Sequence, residues 1–151
     1  MKKIGLLFII LFCSFCLQSY SGGTVRKAKR EIRVYDYSSA ITILQKIVNK
    51  NDPKTVKKAT LILAECYRKK NDCNQAKTWY GKAIELGNAE ARTYFYYAVA
   101  LRSTGEYELA KKYFLKYDSL VPKDHRGKVY AGYCDSAKNW EKKDPVYEVK
   151  N

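Results

Sequence analysis

Apolar residues recur three and four positions apart along most of this chain, the spacing of helices with one buried stripe. Ala40, Ile41, Leu44, Ile47 and Val48 form one such stripe, and Leu61, Leu63, Ala64 and Tyr67 form a second. Ala76, Trp79, Tyr80, Ala83 and Ile84 form a third. Turn chemistry punctuates the pattern: the run 35–39, Asn49 to Asp52, Asn71-Asp72, Gly87-Asn88, Thr104-Gly105 and Pro122. The spacing predicts helices over 25–34, along the stripe 40–48, and over 54–69, 73–86, 90–103, 107–120 and 126–142. Asp52-Pro53 supplies a capping side chain followed by proline at the first helical position, and Asp124 supplies a cap for the last helix. Gly87 suits a left-handed helix stop. Lys143-Asp144-Pro145 ends the last helix, and 146–151 reads as extended.

Overlaid on these stripes is a longer period. Ala64 returns as Ala98, Ala76 as Ala110 and Tyr80 as Phe114, all at one offset (98−64, 110−76 and 114−80 are each 34). Leu63/Tyr97 and Tyr67/Leu101 keep the same offset. A fixed period of this length in helix-forming sequence marks stacked two-helix units, none of which buries its apolar face alone. Alanine-sized side chains at the crossings let helix axes approach, and the aromatic rings fill the gaps between. Such a stack builds a surface rather than an enclosed pocket, so binding is the first functional expectation. The predicted class is all-α: an α-solenoid of about three helix-turn-helix repeats closed by a C-terminal capping helix.

The N-terminus carries a different pattern. Lys2 and Lys3 precede an apolar run from Ile4 to Phe12, and Ser19 and Ser21 stand like the small residues of a cleavage site. Residues 1–21 read as a secretory signal peptide, with a retained anchor helix as the rival. A lipoprotein would acylate Cys13 or Cys16, but phenylalanine precedes each where a small residue belongs. The expected organisation is signal peptide 1–21, helical domain 22–142 and extended tail 143–151, which could open a further domain.

Charge changes the picture only in part. The formal charge is +14, or +12 (14−2) once Lys2 and Lys3 are removed, since residues 1–21 hold no acid. That excess suits an anionic membrane, polysaccharide or acidic protein, while a lysine-rich solvated helical surface is the simpler explanation. Nucleic acid is not an expected partner of an exported chain. Removal of 1–21 leaves Cys66, Cys73 and Cys134 of the five cysteines, an odd set without a CxxC pair. No bridge, zinc site or redox motif is assigned to them.

These residues resemble tetratricopeptide repeats. One repeat opens at Lys57 and carries Leu63, Ala64, Tyr67, Ala76, Tyr80 and Ala83 at the signature places. The next opens at Ala91 and carries Tyr94, Tyr97, Ala98, Leu101, Gly105, Tyr107, Ala110, Phe114 and Pro122. An earlier, divergent repeat ends with Tyr37, Ala40, Leu44 and Ile47, and its offset to the next is slightly longer (76−40 is 36). Gly132 follows Ala98 at the regular offset (132−98 is 34), in what looks like a terminal solvating helix. The arrangement also resembles the N-terminal repeat region of OmpA-family outer-membrane-associated proteins of Bacteroidetes-type bacteria. Cys134, Trp140 and the stretch 147–151 look like the junction that leads there into a propeller. That resemblance implies an exported protein, periplasmic or outer-membrane associated. The family's peptidoglycan-binding domain is absent from the sequence, and its role is not carried over.

The repeat register places Lys58, Leu61, Glu65, Arg68 and Lys69, then Arg92, Phe95, Val99 and Arg102, then Val129 and Tyr133, on the groove lined by first helices. This strip would hold an extended or helical peptide of acidic character. An ordinary solvated face with no ligand is the alternative. The clamp that some such proteins use for chaperone tails needs Lys and Asn where this chain has Leu61, Glu65, Phe95 and Val99, so that use is not expected. His125 is the single histidine, in a turn and without a partner base. No phosphate loop, metalloprotease or nucleophile motif occurs, so no catalytic residue, metal or cofactor is assigned. The expected function is a non-catalytic interaction scaffold at the bacterial cell envelope. The alternative is a basic peripheral module on anionic membrane or polysaccharide.

Overall fold

The turns explain the architecture. The computed structural model describes residues 25–50 and 52–143, with side chains as far as Ala137. Within these lie seven helices and no strand: α1 (residues 25–33), α2 (Tyr37–Val48), α3 (Pro53–Lys69), α4 (Cys73–Glu85), α5 (Ala91–Ser103), α6 (Tyr107–Leu120) and α7 (Arg126–Lys143). Each packs on its neighbours in order, giving the pairs α1/α2, α3/α4 and α5/α6 and a final single helix. The expected signal peptide, the tail 144–151 and most of the proposed junction lie outside the described residues.

Inside each pair the chain reverses through one left-handed residue: Tyr35 (φ 62°), Asn71 (φ 57°) and Gly105 (φ 82°). An acidic residue follows each. Asp36 accepts the Ser39 amide at 2.9 Å and Asp72 accepts the Gln75 amide at 3.0 Å, each satisfying a free donor of the helix start. Glu106 makes no such cap. It pairs instead with Lys77 of α4 and accepts the Thr104 hydroxyl at 3.1 Å, tying consecutive repeats together. The Asp36 cap corrects the expected break over 35–39, because α2 begins at Tyr37. Asp52 stands before Pro53 as expected but makes no side-chain capping bond, and the Thr55 hydroxyl beside it is the main cause of its lowered pKa. Asp124 accepts the Arg126 amide at 3.2 Å and also holds that residue's guanidinium.

Tyr35 is a bulky residue in a region that favours glycine, and its side chain is 79% exposed. The edge contact with the Tyr37 ring at 6.4 Å offsets little of the strain. Tyr35→Gly should therefore stabilise the fold by about 1 kcal/mol, read as a higher urea midpoint at unchanged slope.

The core is segmental, as a linear stack requires. One cluster joins α1 to α3 through Ala28, Leu44, Ile47, Ala59 and Leu63. A second joins α5 to α7 through Phe95, Leu101, Phe114, Tyr117 and Cys134. Ala64, Ala76, Tyr80 and Ala100 bridge the two. Ala64, Ala76, Ala83, Ala98 and Ala110 are all essentially inaccessible, so the notches sit at the crossings. Gly132 departs from this. A side chain there would meet nothing within 4 Å, because no described second helix follows α7 to pack on it. Cys66, Cys73 and Cys134 are free thiols, the first and last buried, and burial pushes Cys66 up to about 11.

Candidate functional site

The first helices α3, α5 and α7 lie side by side and carry most of the predicted groove residues on their shared face. Lys58, Lys69 and Arg92 are exposed there, and Leu61, Glu65, Arg68, Val99 and Arg102 are half-buried. Phe95 is corrected: it is 6% exposed and packs edge-on against Phe114 and Tyr130, with rings 5.5 and 5.3 Å away. The guanidinium of Arg126 lies over its ring at 5.1 Å. A phenylalanine at that register is drawn inward because the closing helix supplies aromatic partners. Val129, its counterpart on α7, stays 48% exposed, as does its neighbour Tyr133 at 53%.

The two groove arginines repeat one geometry. Arg68 of α3 stacks over the Tyr96 ring of α5 at 4.0 Å, and Arg102 of α5 over the Tyr130 ring of α7 at 5.3 Å. Arginine and tyrosine both recur at the repeat offset (102−68 and 130−96 are both 34). These tyrosines were missed as site residues, although the same period that revealed the alanines marks them. Desolvated cation–π contacts of this kind are worth about 1–2 kcal/mol each and hold the guanidinium plane in place.

The surroundings of the two arginines differ. Glu65 takes two bonds from Arg68, at 3.1 Å from Nε and 2.7 Å from Nη2. Its other oxygen accepts the hydroxyl of wholly buried Tyr80 at 2.8 Å. Burial, with the carboxylate beside it, raises the Tyr80 pKa and keeps the phenol protonated. In the next repeat Val99 replaces Glu65 and Phe114 replaces Tyr80 (99−65 and 114−80 are both 34). The acceptor and the hydroxyl disappear together, so the change leaves no buried polar group without a partner. Tyr80→Phe alone should cost about 1–2 kcal/mol. The loss should be smaller in a Glu65→Val background, a coupling that a double-mutant cycle on urea midpoints reads directly.

A polar knot closes the far end. The Tyr117 hydroxyl donates to Asp124, and Arg126 donates to Asp124 at 2.6 Å and to the Tyr117 oxygen at 3.0 Å. The Arg126 guanidinium beside Asp124 holds that carboxyl well below the usual range. His125 between them is exposed. Among the described residues no group of three or more acidic, histidine or cysteine side chains is placed to hold a metal ion.

An all-α solenoid of helix-turn-helix units with a shared first-helix face is therefore the class of this protein. Two of its units, residues 58–87 and 91–124, match the tetratricopeptide repeat family model. Among solved structures, MamA is similar at 23% identity and TM-score 0.69, over 79% of this chain and 68% of that one. The repeat-containing C-terminal domain of a Plasmodium falciparum FK506-binding protein is similar at 18% identity and TM-score 0.69, over 82% and 91%. The corresponding domain of Arabidopsis FLU is similar at 16% identity and TM-score 0.62, over 71% and 98%. At these identities the likeness speaks for the fold. No curated protein matches the sequence significantly.

Proposed function

We propose that this protein is a non-catalytic interaction scaffold of the bacterial cell envelope that holds a peptide or protein partner on the face built by α3, α5 and α7. Tetratricopeptide repeat domains generally mediate protein–protein interaction, through the extended surfaces that stacked repeats create. One observation carries the reading to this face: arginines at equivalent places of consecutive repeats are held in one orientation by tyrosines of the next repeat. Leu61 and Val99 beside them stay partly open to solvent. Planar cations beside apolar surface suit a chain that offers both carboxylates and apolar anchors. The envelope location rests on the sequence pattern of 1–21, and the OmpA-type context on the resemblance of the repeat arrangement. Among the described residues no helix is long and apolar enough to cross a membrane.

Site-specific photo-crosslinking in producing cells tests the reading. A crosslinker at Leu61 or Val99 should trap a discrete partner band, and one at Leu115 on α6 should not. Trapping confined to Leu115 would contradict it.

A second reading has its own support. Arg26, Lys29, Lys54 and Lys58, with Val25 and Thr55, line a cleft of about 390 Å³ between α1 and the start of α3. Four cations without an acid suit an anionic envelope surface, as does the +12 charge (14−2) left once Lys2 and Lys3 are removed. That mode predicts sedimentation with anionic vesicles that collapses at raised salt and ignores groove substitutions.

A further inference from the structure

We propose that Arg102 is the anchor for a glutamate or aspartate side chain of the bound partner, which takes the place that Glu65 occupies beside Arg68. The inference rests on the first-helix face being the binding face and names the partner group it recognises.

The protein contains its own template for the contact. Arg68 and Arg102 occupy the same place in consecutive repeats, and each guanidinium lies over a tyrosine of the next first helix. The flanking rings correspond too. Tyr80 stacks with Tyr96 at 6.4 Å, and Phe114 meets Tyr130 at 5.3 Å. What differs is the carboxylate and the Tyr80 hydroxyl that donates to it. Arg68 is neutralised from three residues earlier by Glu65 at 2.7 Å. At the matching place before Arg102 stands Val99, and Arg102 makes no ion pair among the described residues.

A half-buried arginine that is oriented by an aromatic ring and has no carboxylate on it among the described residues is a preformed receptor for one. The fork of donors is fixed in advance, so little ordering entropy is lost when a carboxylate arrives. Val99 offers a half-buried apolar surface beside it, where the partner's neighbouring apolar residue would lie. A side-chain carboxylate is the group committed to, because that is what Glu65 supplies in the template.

Selection from a random dodecapeptide library displayed on phage tests this, since displayed peptides have no free C-terminus. The wild-type protein should enrich peptides with a fixed Glu or Asp next to an apolar residue. Synthetic copies should bind Arg102→Gln roughly ten- to a hundredfold more weakly. Val99→Glu, which gives Arg102 its own carboxylate, should cause a similar loss while leaving the guanidinium in place. Replacing the peptide acid by its amide should weaken wild-type binding and leave binding to the Val99→Glu variant unchanged. Selected peptides without a fixed acid, or affinities unmoved by both variants, would overturn the inference. If those peptides still lose affinity in a Lys58→Glu/Arg92→Glu variant, the first-helix face stands as the binding face and only the Arg102 assignment falls. No enrichment above background would remove that face as a peptide site, and this anchor with it.

Discussion

Gly127→Ala should destabilise the protein by about 2–3 kcal/mol, although alanine ordinarily improves a helix by about 1 kcal/mol over glycine. The cause is the closeness of α7 to α6. A Cβ at residue 127 would fall 2.5 Å from the Phe114 carbonyl oxygen and 2.7 Å from the Asp118 Cβ. The carbonyl belongs to a helix backbone and cannot step aside as a flexible side chain would. Relief requires α7 to move, and α7 supplies Tyr130, Ala131 and Cys134 to the second core cluster. Asp118 suffers with it, since its carboxylate is largely buried and faces Lys128 of α7 at 3.7 Å. Urea denaturation followed by circular dichroism reads the change. A variant more stable than wild type would show that α6 and α7 do not cross at this glycine.

Phe114→Ala should cost more, about 3–5 kcal/mol. Phe114 is wholly inaccessible and sits between the Phe95 and Tyr130 rings at 5.5 and 5.3 Å, so truncation leaves a cavity walled by rigid rings. A domain of this size is stable by only about 5–15 kcal/mol, so such a loss takes a large share of the total. The damage should be local at first. In a linear stack each unit feels only its neighbours, so α5 to α7 should open while α1 to α4 keep their amide protection. Hydrogen exchange of the variant checks this, and uniform loss of protection over all helices would mean a single cooperative core instead of a segmental one.

Much of the fold was legible because two independent periods, that of the helix and that of the repeat, agreed on the same alanines and rings. The bounds of α3 to α7 followed from Pro53, Gly87 and Gly105 to within a residue or so of those observed. The start of α2 did not, because the left-handed turn there is made by Tyr35 instead of glycine or asparagine. Its shared function with Asn71 and Gly105 shows only in the backbone. Gly132 matched Ala98 by register, yet the glycine in close contact is Gly127, in line with Ala59 and Thr93 (93−59 and 127−93 are both 34). Register gives the place of a residue in its repeat, whereas contact depends on what packs against that place.

For the groove, register placed both arginines on the first-helix face, where the structure has them, but could not tell paired from unpaired. Arg68 and Arg102 look alike in a row of letters, and Glu65 separates them only once its distance is known. Phe95 misled for the opposite reason: an aromatic residue at an open register turns inward when a closing helix offers Tyr130. The tail, the signal segment and the propeller-type junction remain expectations of the sequence.

Hydrogen exchange of the protein with and without its crosslink-identified partner shows whether the first-helix face is the binding surface, and the outcome decides the proposal. Binding should slow exchange in 58–69 and 92–102 and leave 73–85 and 107–120 unchanged. Protection confined to α4 and α6, with the first helices indifferent to the partner, would contradict it.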